Sequence, residues 1–205
     1  MSRGRIIIMT APSGTGKTTV AKLVFERFDN LRFSVSHTTR PSREGERHGE
    51  AYYFISDGEF DGMVADDAFA EWAHVHKRRY GTSKAEVQRL LDAGHDLLLD
   101  VDVQGARNLR DVYPEALSVF LLPPSMSELS RRLCGRGTET DDQLKTRLET
   151  AREEVLDARD FDYVIVNETI RTAADAFGSI LDGHPVPEAR RHNHVESLVN
   201  EMLTS

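Results

Sequence analysis

An α/β fold built on a parallel sheet is the class this sequence predicts, and three features carry the prediction. Short apolar runs rich in Ile, Val and Leu recur along the chain. Stretches of helical period separate them, so strands and helices alternate. The runs are continuous rather than alternating, as strands covered on both faces are. In order, Ile6 to Met9 reads as the first strand. Thr19 to Phe28 follows as a helix, with Val20, Leu23, Val24 and Phe28 at helical spacing and Asp29-Asn30 as its stop. Ser56-Asp57 caps a short helix through Met63 and Val64, and Phe69 to Val75 includes an apolar alternation with Trp72. Ser83 to Ala93 is helical and ends at Gly94. Asp96 to Val101 is a second buried strand, Gln104 to Val112 a helix, and Leu117 to Leu122 a third strand closed by Pro123-Pro124. Ser125 caps a helix carrying Leu129 and Leu133. The polar run GRGTETDD at 135–142 breaks it, and a long helix, with Thr138 or Thr140 as its cap, runs from Asp141 to about Asp160. Tyr163 to Val166 is a fourth strand and Thr169 to Leu181 a helix. From Gly183 the chain reads as an appendage, weakly helical through Val195, Leu198, Val199 and Met202.

Composition narrows the functional classes. The 205 residues suffice for one domain with small inserted subdomains. A hydrophobic share of 39% and a charged share of 29% predict a soluble chain. A net charge of −8 argues against general binding to a nucleic acid backbone, which needs a basic surface. Cys134 is the only cysteine, which excludes an intramolecular disulfide and a cysteine-rich zinc site and fits a reducing compartment. Ile6 to Met9 is shorter than the roughly 7 to 15 apolar residues of a signal-peptide core. No run approaches the ~18 of a membrane span. The expectation is a cytoplasmic protein with neither nucleic acid nor membrane as partner.

The first strand is followed by APSGTGKTT at 11–19. The pattern to compare is G-x-x-x-x-G-K-[ST], the phosphate-binding loop; Ala11 replaces its first glycine, and Gly14, Gly16, Lys17 and Thr18 are in place. Small residues let backbone N–H groups turn inward around phosphate oxygens, and the helix starting at Gly16 adds its positive end. Lys17 can reach the β and γ phosphates and the Thr18 hydroxyl can bind Mg²⁺. The bland alternative is a Gly-rich strand-to-helix turn with no ligand, but the strand before and the helix after favour phosphate. No Asn-Lys-x-Asp segment of a GTPase is present, so a kinase of a nucleotide or metabolite is expected. A P-loop NTPase-type parallel sheet flanked by helices, with inserted subdomains, is the matching architecture.

A kinase needs an acceptor site. SHTTRPSREGERHGEAYYF at 36–54 has no period over most of its length, and a loop that long inside a domain is functional or disordered. Arg40 and Arg43 can grip a phosphate monoester with forked bonds, Tyr52 and Tyr80 can add phenolic donors, and Gly45 and Gly49 permit the bends.

Here the sequence closely resembles the guanylate kinases. The resemblance rests on APSGTGKTT, then SHTTRPSREGERHGEAYYF, Phe69-Ala70-Glu71-Trp72-Ala73, Tyr80-Gly81-Thr82, LLLDVDVQGA, LPPS, GRGTET and VIVN at 164–167, in that order over nearly the whole chain. It implies one guanylate kinase-like domain over 1–205. The core would comprise about 1–33, 95–125 and 161–183, the GMP-binding subdomain about 34–94, the lid about 126–160, and the tail 184–205. It implies that Arg40, Arg43, Tyr52 and Tyr80 hold the GMP phosphate, that Glu71 accepts from guanine N1–H and the exocyclic amine, and that Ser36 and Thr82 face guanine O6. Asp102 would lie near the base and the nucleotide cleft, and Asp100, with Thr18, near Mg²⁺. Ser13, Gly14, Thr15, Gly16, Lys17, Thr18 and Thr19 would cradle the ATP phosphates, with Asn167 near the adenine. Lys17, Arg43, Arg136 and Arg147 would neutralise the transferring phosphoryl, the last two from a mobile lid. The implied reaction is direct in-line transfer from ATP to GMP with Mg²⁺, by a monomer or homo-oligomer.

The chemistry agrees with these roles: guanine carries a donor at N1 where adenine carries a lone pair, so a carboxylate there selects guanine. Two alternatives remain. A ribose 1,5-bisphosphate kinase would not need Ser36, Glu71 and Thr82 arranged for a purine. A non-catalytic binding module would not need an intact GTGKT. Position 82 is Thr where some members of the family have Ser, and positions 76–79, HKRR, are more basic than the usual turn. Lys77-Arg78-Arg79 is expected to be a solvated positive face. His37, His74 and His76 lack metal-ligand spacing, and His192-Asn193-His194 is expected to be exposed tail.

Overall fold

In the computed structural model, which describes residues 3–75, 77–134, 141–184, 189–190 and 195–204, every residue of β1 (Ile6–Thr10) is buried. The chain continues through α1 (Lys17–Phe25), β2 (Leu31–Phe33), β3 (His37–Thr38), β4 (Tyr53–Phe54), α2 (Asp57–Ala65), β5 (Phe69–Val75), β6 (Arg78–Ser83) and α3 (Lys84–Asp92). Then come β7 (Asp96–Asp100), α4 (Val103–Val112), β8 (Leu117–Leu122), α5 (Met126–Cys134), α6 (Asp141–Leu156), β9 (Tyr163–Val166), α7 (Ile170–Leu181), β10 (Ala189–Arg190) and α8 (Val195–Thr204). A six-stranded sheet has the order β10-β9-β8-β1-β7-β2, and a four-stranded sheet the order β4-β3-β6-β5. In the larger sheet β2 pairs with β7 and β8 with β9 in parallel, and β10 adds an antiparallel edge.

The chain divides into two compact units. The first comprises Met1–Ile7, Asn30–Leu99 and Gln104–Ala116, and the second Ile8–Asp29, Asp100–Val103 and Leu117–Ser205.

The first unit contains the four-stranded sheet. Its core gathers Phe60 of α2, Phe69 of β5 and Val87, Leu90 and Leu91 of α3. Capping fixes the helices: Ser56 and Glu59 form a reciprocal capping box on α2, and Ser83 caps α3 through the Glu86 N–H. Gly81 on β6 must be small, because a Cβ there would stand 2.8 Å from the Phe69 ring and 3.0 Å from Trp72 Cβ. Trp72 is 40% exposed and touches Phe60 and His74 edge-on.

In the second unit Val119 to Leu122 of β8 are fully buried, as are Val20 and Val24 of α1 and Ala173, Ala174 and Phe177 of α7. Burying each large apolar side chain contributes about 1.5–3 kcal/mol. Helix α1 ends at Phe25, a turn short of the expected Phe28. Helix α6 passes at Asp157–Asp160 into a 3₁₀ turn, the usual tightening of a last turn, where one helix was expected to Asp160. Helix α8 is no appendage: Val195, Val199 and Met202 are buried, and Arg152 of α6 donates to the Leu203 carbonyl.

Strands β2, β3, β4, β6 and β10 were not expected. Strands of two or three residues carry no period, and β6, RRYGTS, reads as polar. Among the described residues no helix is long and apolar enough to cross a membrane.

Candidate functional site

The turn from β1 into α1 is shaped by two glycines. Gly14 and Gly16 have φ of 93° and 100°, which side-chain-bearing residues rarely adopt. A Cβ at Gly14 would also lie 2.6 Å from Leu133. Ala11 has no positive φ, which is why alanine serves in the place of the motif's first glycine. Gly16 is the N-cap of α1 and offers no side-chain cap, so the first N–H groups of the helix are left for a ligand. A cavity of about 310 Å³ opens here, a size suited to a small ligand. Ser13, Gly14, Gly16, Lys17, Thr18 and Thr19 line it, together with Asp102 and Glu154.

Lys17 Nζ donates to the Val101 carbonyl at 2.6 Å and lies 2.6 Å from Asp100 Oδ1. That oxygen is buried and takes no directed hydrogen bond, so the contact is ionic. Helix α6 reaches the loop through two side chains. Arg147 donates to Ser13 Oγ at 2.6 Å, and Glu154 lines the same cavity as Ser13. Burial pushes the Glu154 carboxyl above its ordinary range; the Ser13 backbone pulls against it, and Asp102 and Asp157 add to the push.

Thr15 stands apart from the cavity wall. It is fully buried, and its carbonyl accepts from Asn167 Nδ2 at 2.6 Å and from Arg132 at 3.2 Å. Holding that carbonyl outward helps keep the loop's N–H groups inward. Asn167 is itself fully buried, so in this structure its amide braces the loop. Sequence reasoning missed Arg132, which also donates to the Asn167 carbonyl and is anchored by Glu128. Hydrogen bonds from Arg131 and Arg132 hold the Glu128 carboxyl down at about 2. Its one sequence signal, Glu128 and Arg132 four apart on a helix, looks like an ordinary surface pair. Arg136 lies outside the described residues, as do Thr138, Thr140, His76, His192 and His194.

The other group of expected residues gathers on the four-stranded sheet. β3 pairs with β4 in parallel and with β6 antiparallel, setting Thr38 opposite both Phe54 and Tyr80. The Ser36 carbonyl accepts from the Tyr53 N–H, which ties the two ends of the aperiodic stretch together. Gly45 and Gly49 take φ of 84° and 80°, the bends expected of them. Tyr52 and Tyr80 meet edge to face at 5.8 Å, and the Arg40 guanidinium lies 5.3 Å above the Tyr52 ring. Arg40 also donates to Glu46 Oε1 at 2.8 Å, while Glu46 Oε2 takes the Arg43 N–H at 2.8 Å. Those bonds, Arg40's first, hold the Glu46 carboxyl below its ordinary range. Arg43 is thus drawn in by its backbone, and its side chain stays exposed.

Across β5 and β6, Glu71 faces Thr82, whose hydroxyl donates to Glu71 Oε1 at 2.9 Å. Thr82 is buried and Glu71 half-buried. Tyr80 and Thr82, two apart on β6, share one face of the strand.

The expected positive face at 77–79 is corrected at Arg79. Its side chain is 13% exposed, bonded to Asp57 and Asp61 of α2, and stacked 4.6 Å from the Phe60 ring. A long cationic side chain with two carboxylates in reach is neutralised rather than solvated. His37 stacks on Tyr53 at 4.7 Å, and burial lowers its pKa. Among the described residues no group of three or more His, Cys, Asp or Glu could hold a metal ion.

A family model described as guanylate kinase matches residues 3–184. Among curated relatives, a guanylate kinase of Dechloromonas aromatica is 44% identical over 178 residues, covering 87% of this chain and 88% of that one. One from Neisseria meningitidis serogroup A is 42% identical over 197 residues, 96% of each. Among solved structures, the guanylate kinase from Anaplasma phagocytophilum superposes with a TM-score of 0.68 at 31% identity, covering 97% of this chain and 96% of that one.

Proposed function

The chain belongs to the guanylate kinase family, and from that premise we propose how its residues divide the transfer of the γ-phosphoryl group from ATP to GMP, giving ADP and GDP. The observation that carries the division is the single face of β6. Tyr80 there joins Arg40 and Tyr52 as a phosphate grip, and Thr82, two residues on, holds the carboxylate of Glu71.

The guanine end is read by Glu71, which accepts from N1–H and the exocyclic amine. The Thr82 hydroxyl already donates to Glu71, so it orients that carboxylate and is left an acceptor. Ser36 is then the hydroxyl that faces guanine O6. The GMP phosphate takes Arg40 from Glu46, with Tyr52 and Tyr80 as phenolic donors and Arg43 closing from its exposed position. An anion carrying more charge than a carboxylate wins that exchange.

At the loop, backbone N–H groups from Ser13 to Thr19 cradle the ATP phosphates, Asn167 and Arg132 hold the loop in shape from behind, and Asp102 forms part of the pocket wall. Lys17 turns from Asp100 and the Val101 carbonyl to the β and γ phosphates. Arg147 leaves Ser13 Oγ for the transferring group, and Arg136 is assigned the same task. Catalysis is positioning plus charge stabilisation, with no covalent intermediate.

Mg²⁺ fits the donors present. The Thr18 hydroxyl and the Asp100 carboxylate are hard oxygens, and Mg²⁺ usually takes one or two protein carboxylates and completes its shell with phosphates and water. These two residues would hold it, and it would supply neutralisation of the β and γ phosphate charge.

The test mixes the protein with ATP, Mg²⁺ and one acceptor: GMP, AMP or ribose 1,5-bisphosphate. ADP formation that depends on GMP is expected. Its absence, or equal rates with the other acceptors, would refute the reading.

A further inference from the structure

Strand β4 is an edge of the four-stranded sheet, and one of its backbone donors is answered by a side chain. The Tyr53 and Ile55 N–H groups donate to the Ser36 and Thr38 carbonyls on the β3 side. The Phe54 N–H between them faces off the edge, where a backbone group is ordinarily left to water. It donates instead to His48 Nδ1 at 3.2 Å. The chain turns back to allow this: Gly49, at φ of 80°, donates its N–H to the Tyr52 carbonyl, and His48 bridges Tyr52 in parallel. Tyr52 and Phe54, two apart in this extended segment, share one face of it. The Arg40 guanidinium lies 5.3 Å from the first ring and 5.7 Å from the second.

We propose that His48 is a positioning residue for the acceptor phosphate: its neutral imidazole fixes the edge strand against Arg40, and a proton on that ring releases it. The Phe54 N–H is a donor only, so Nδ1 is the acceptor and the ring's own proton sits on Nε2. Imidazolium carries N–H at both positions, which would set a donor at Nδ1 against the Phe54 donor. Loss of that bond leaves β4 its pairing with β3 but frees Tyr52 and Phe54 to shift, and the guanidinium with them. His48 is exposed, so the proton arrives from solvent without unfolding. The titratable and charged groups around it are Tyr53 of β4, met edge-on at 5.5 Å, His37 of β3 and Glu59 of α2. Arg47 and Glu50, its neighbours along the chain, pair with each other.

The role rests on the reading that Arg40, Tyr52 and Tyr80 grip the GMP phosphate, and the experiment lets the two fail separately. Initial rates are measured from about pH 8 to about pH 5, the span in which histidine side chains take up their proton. GMP is varied at saturating ATP and ATP at saturating GMP, on the wild-type chain, His48→Asn and His48→Ala. At the alkaline end His48→Ala is expected to raise the KM for GMP about fivefold, the loss of one hydrogen bond, with the KM for ATP unchanged. His48→Asn keeps an acceptor oxygen and does not titrate, so its KM for GMP should stay within about twofold of wild type. On acidification the wild-type KM for GMP climbs towards that of the Ala variant. The Asn variant shows only the rise that protonation of the GMP phosphate gives to all three. Parallel profiles for the wild type and His48→Asn would overturn the role and move the titration to another group, such as His37. An Ala variant with the wild-type KM for GMP at the alkaline end would overturn it too. The comparison of wild type with His48→Asn decides alone if the Ala variant fails to fold. Tyr52→Phe with an unchanged KM for GMP would instead sink the phosphate grip, whatever His48 does.

Discussion

In the proposed division the phosphate loop and the four-stranded sheet both handle anions, and they are built for it from different materials. The loop uses backbone: two glycines at positive φ, a helix N-terminus without a side-chain cap, and a carbonyl pinned outward by Asn167 and Arg132. The sheet uses side chains: Arg40 against Tyr52, Tyr80 and Glu46, and Glu71 against Thr82. A backbone site is general for phosphate, because every residue supplies the same N–H. A side-chain site can be particular, because it can ask for a donor at one ring position. Generality suits the donor nucleotide's phosphates, and selectivity suits the acceptor.

The largest test of that division removes Lys17, the cation on the cavity wall. Lys17→Ala is expected to lower kcat by about 10²–10³-fold. GMP affinity, measured by calorimetry, should stay within about twofold; a parallel loss would mean the two sites are not separable. The converse test acts on the sheet. Glu71→Gln replaces one acceptor by a donor facing guanine donors and should cut the preference for GMP over AMP by about 10²-fold in kcat/KM. The KM for ATP should hold, and unchanged discrimination would remove Glu71 as the base reader. A smaller effect probes geometry alone. Gly14→Ala strains a positive φ and drives a Cβ toward Leu133, at a cost of about 1–3 kcal/mol read as a fall in Tm. Ala11→Gly, at a position without positive φ, should cost only about 0.4–1 kcal/mol, from the freer unfolded chain, and so lower Tm less.

The mildest test is acidification. Glu128 is held at about 2 against an ordinary value of 4.5, so its folded pKa is depressed. Its contribution is complete above pH 4.5 and is lost as pH falls towards 2. Glu128→Gln should flatten the stability profile in that window and loosen Arg132 from the loop. A profile unaltered by the substitution would show that Arg132 needs no anchor.

The same contrast explains what was legible in the sequence. APSGTGKTT is readable because a backbone site is local: its glycines and lysine are consecutive and sit between a strand and a helix. The six-stranded sheet was legible in β1, β7, β8 and β9 because strands buried on both faces advertise themselves as apolar runs. Residues 36–54 gave residue types without shape. Their order comes from β3 pairing with β6, with His37 opposite Gly81 and Thr38 opposite Tyr80, through strands of two residues that leave no period. Arg79 was misjudged for a related reason. A basic triplet looks solvated until a distant helix, α2, supplies Asp57 and Asp61. Glu46, Arg132 and Glu154 were invisible in a stronger sense, since a charged residue in a loop or on a helix is the commonest thing a surface contains. Only the fold sets Glu46 against Arg40, Arg132 against the Thr15 carbonyl and Glu154 on the cavity wall.

Trp72 gives the sheet something the loop lacks. It is the chain's sole tryptophan, it neighbours Glu71 on β5, and it is 40% exposed between Phe60 and His74. Indole emission is therefore an optical reporter of the four-stranded sheet. Titrating GMP should move it through the strand that carries Glu71, and an emission that stays constant would count against β5 as part of the acceptor site.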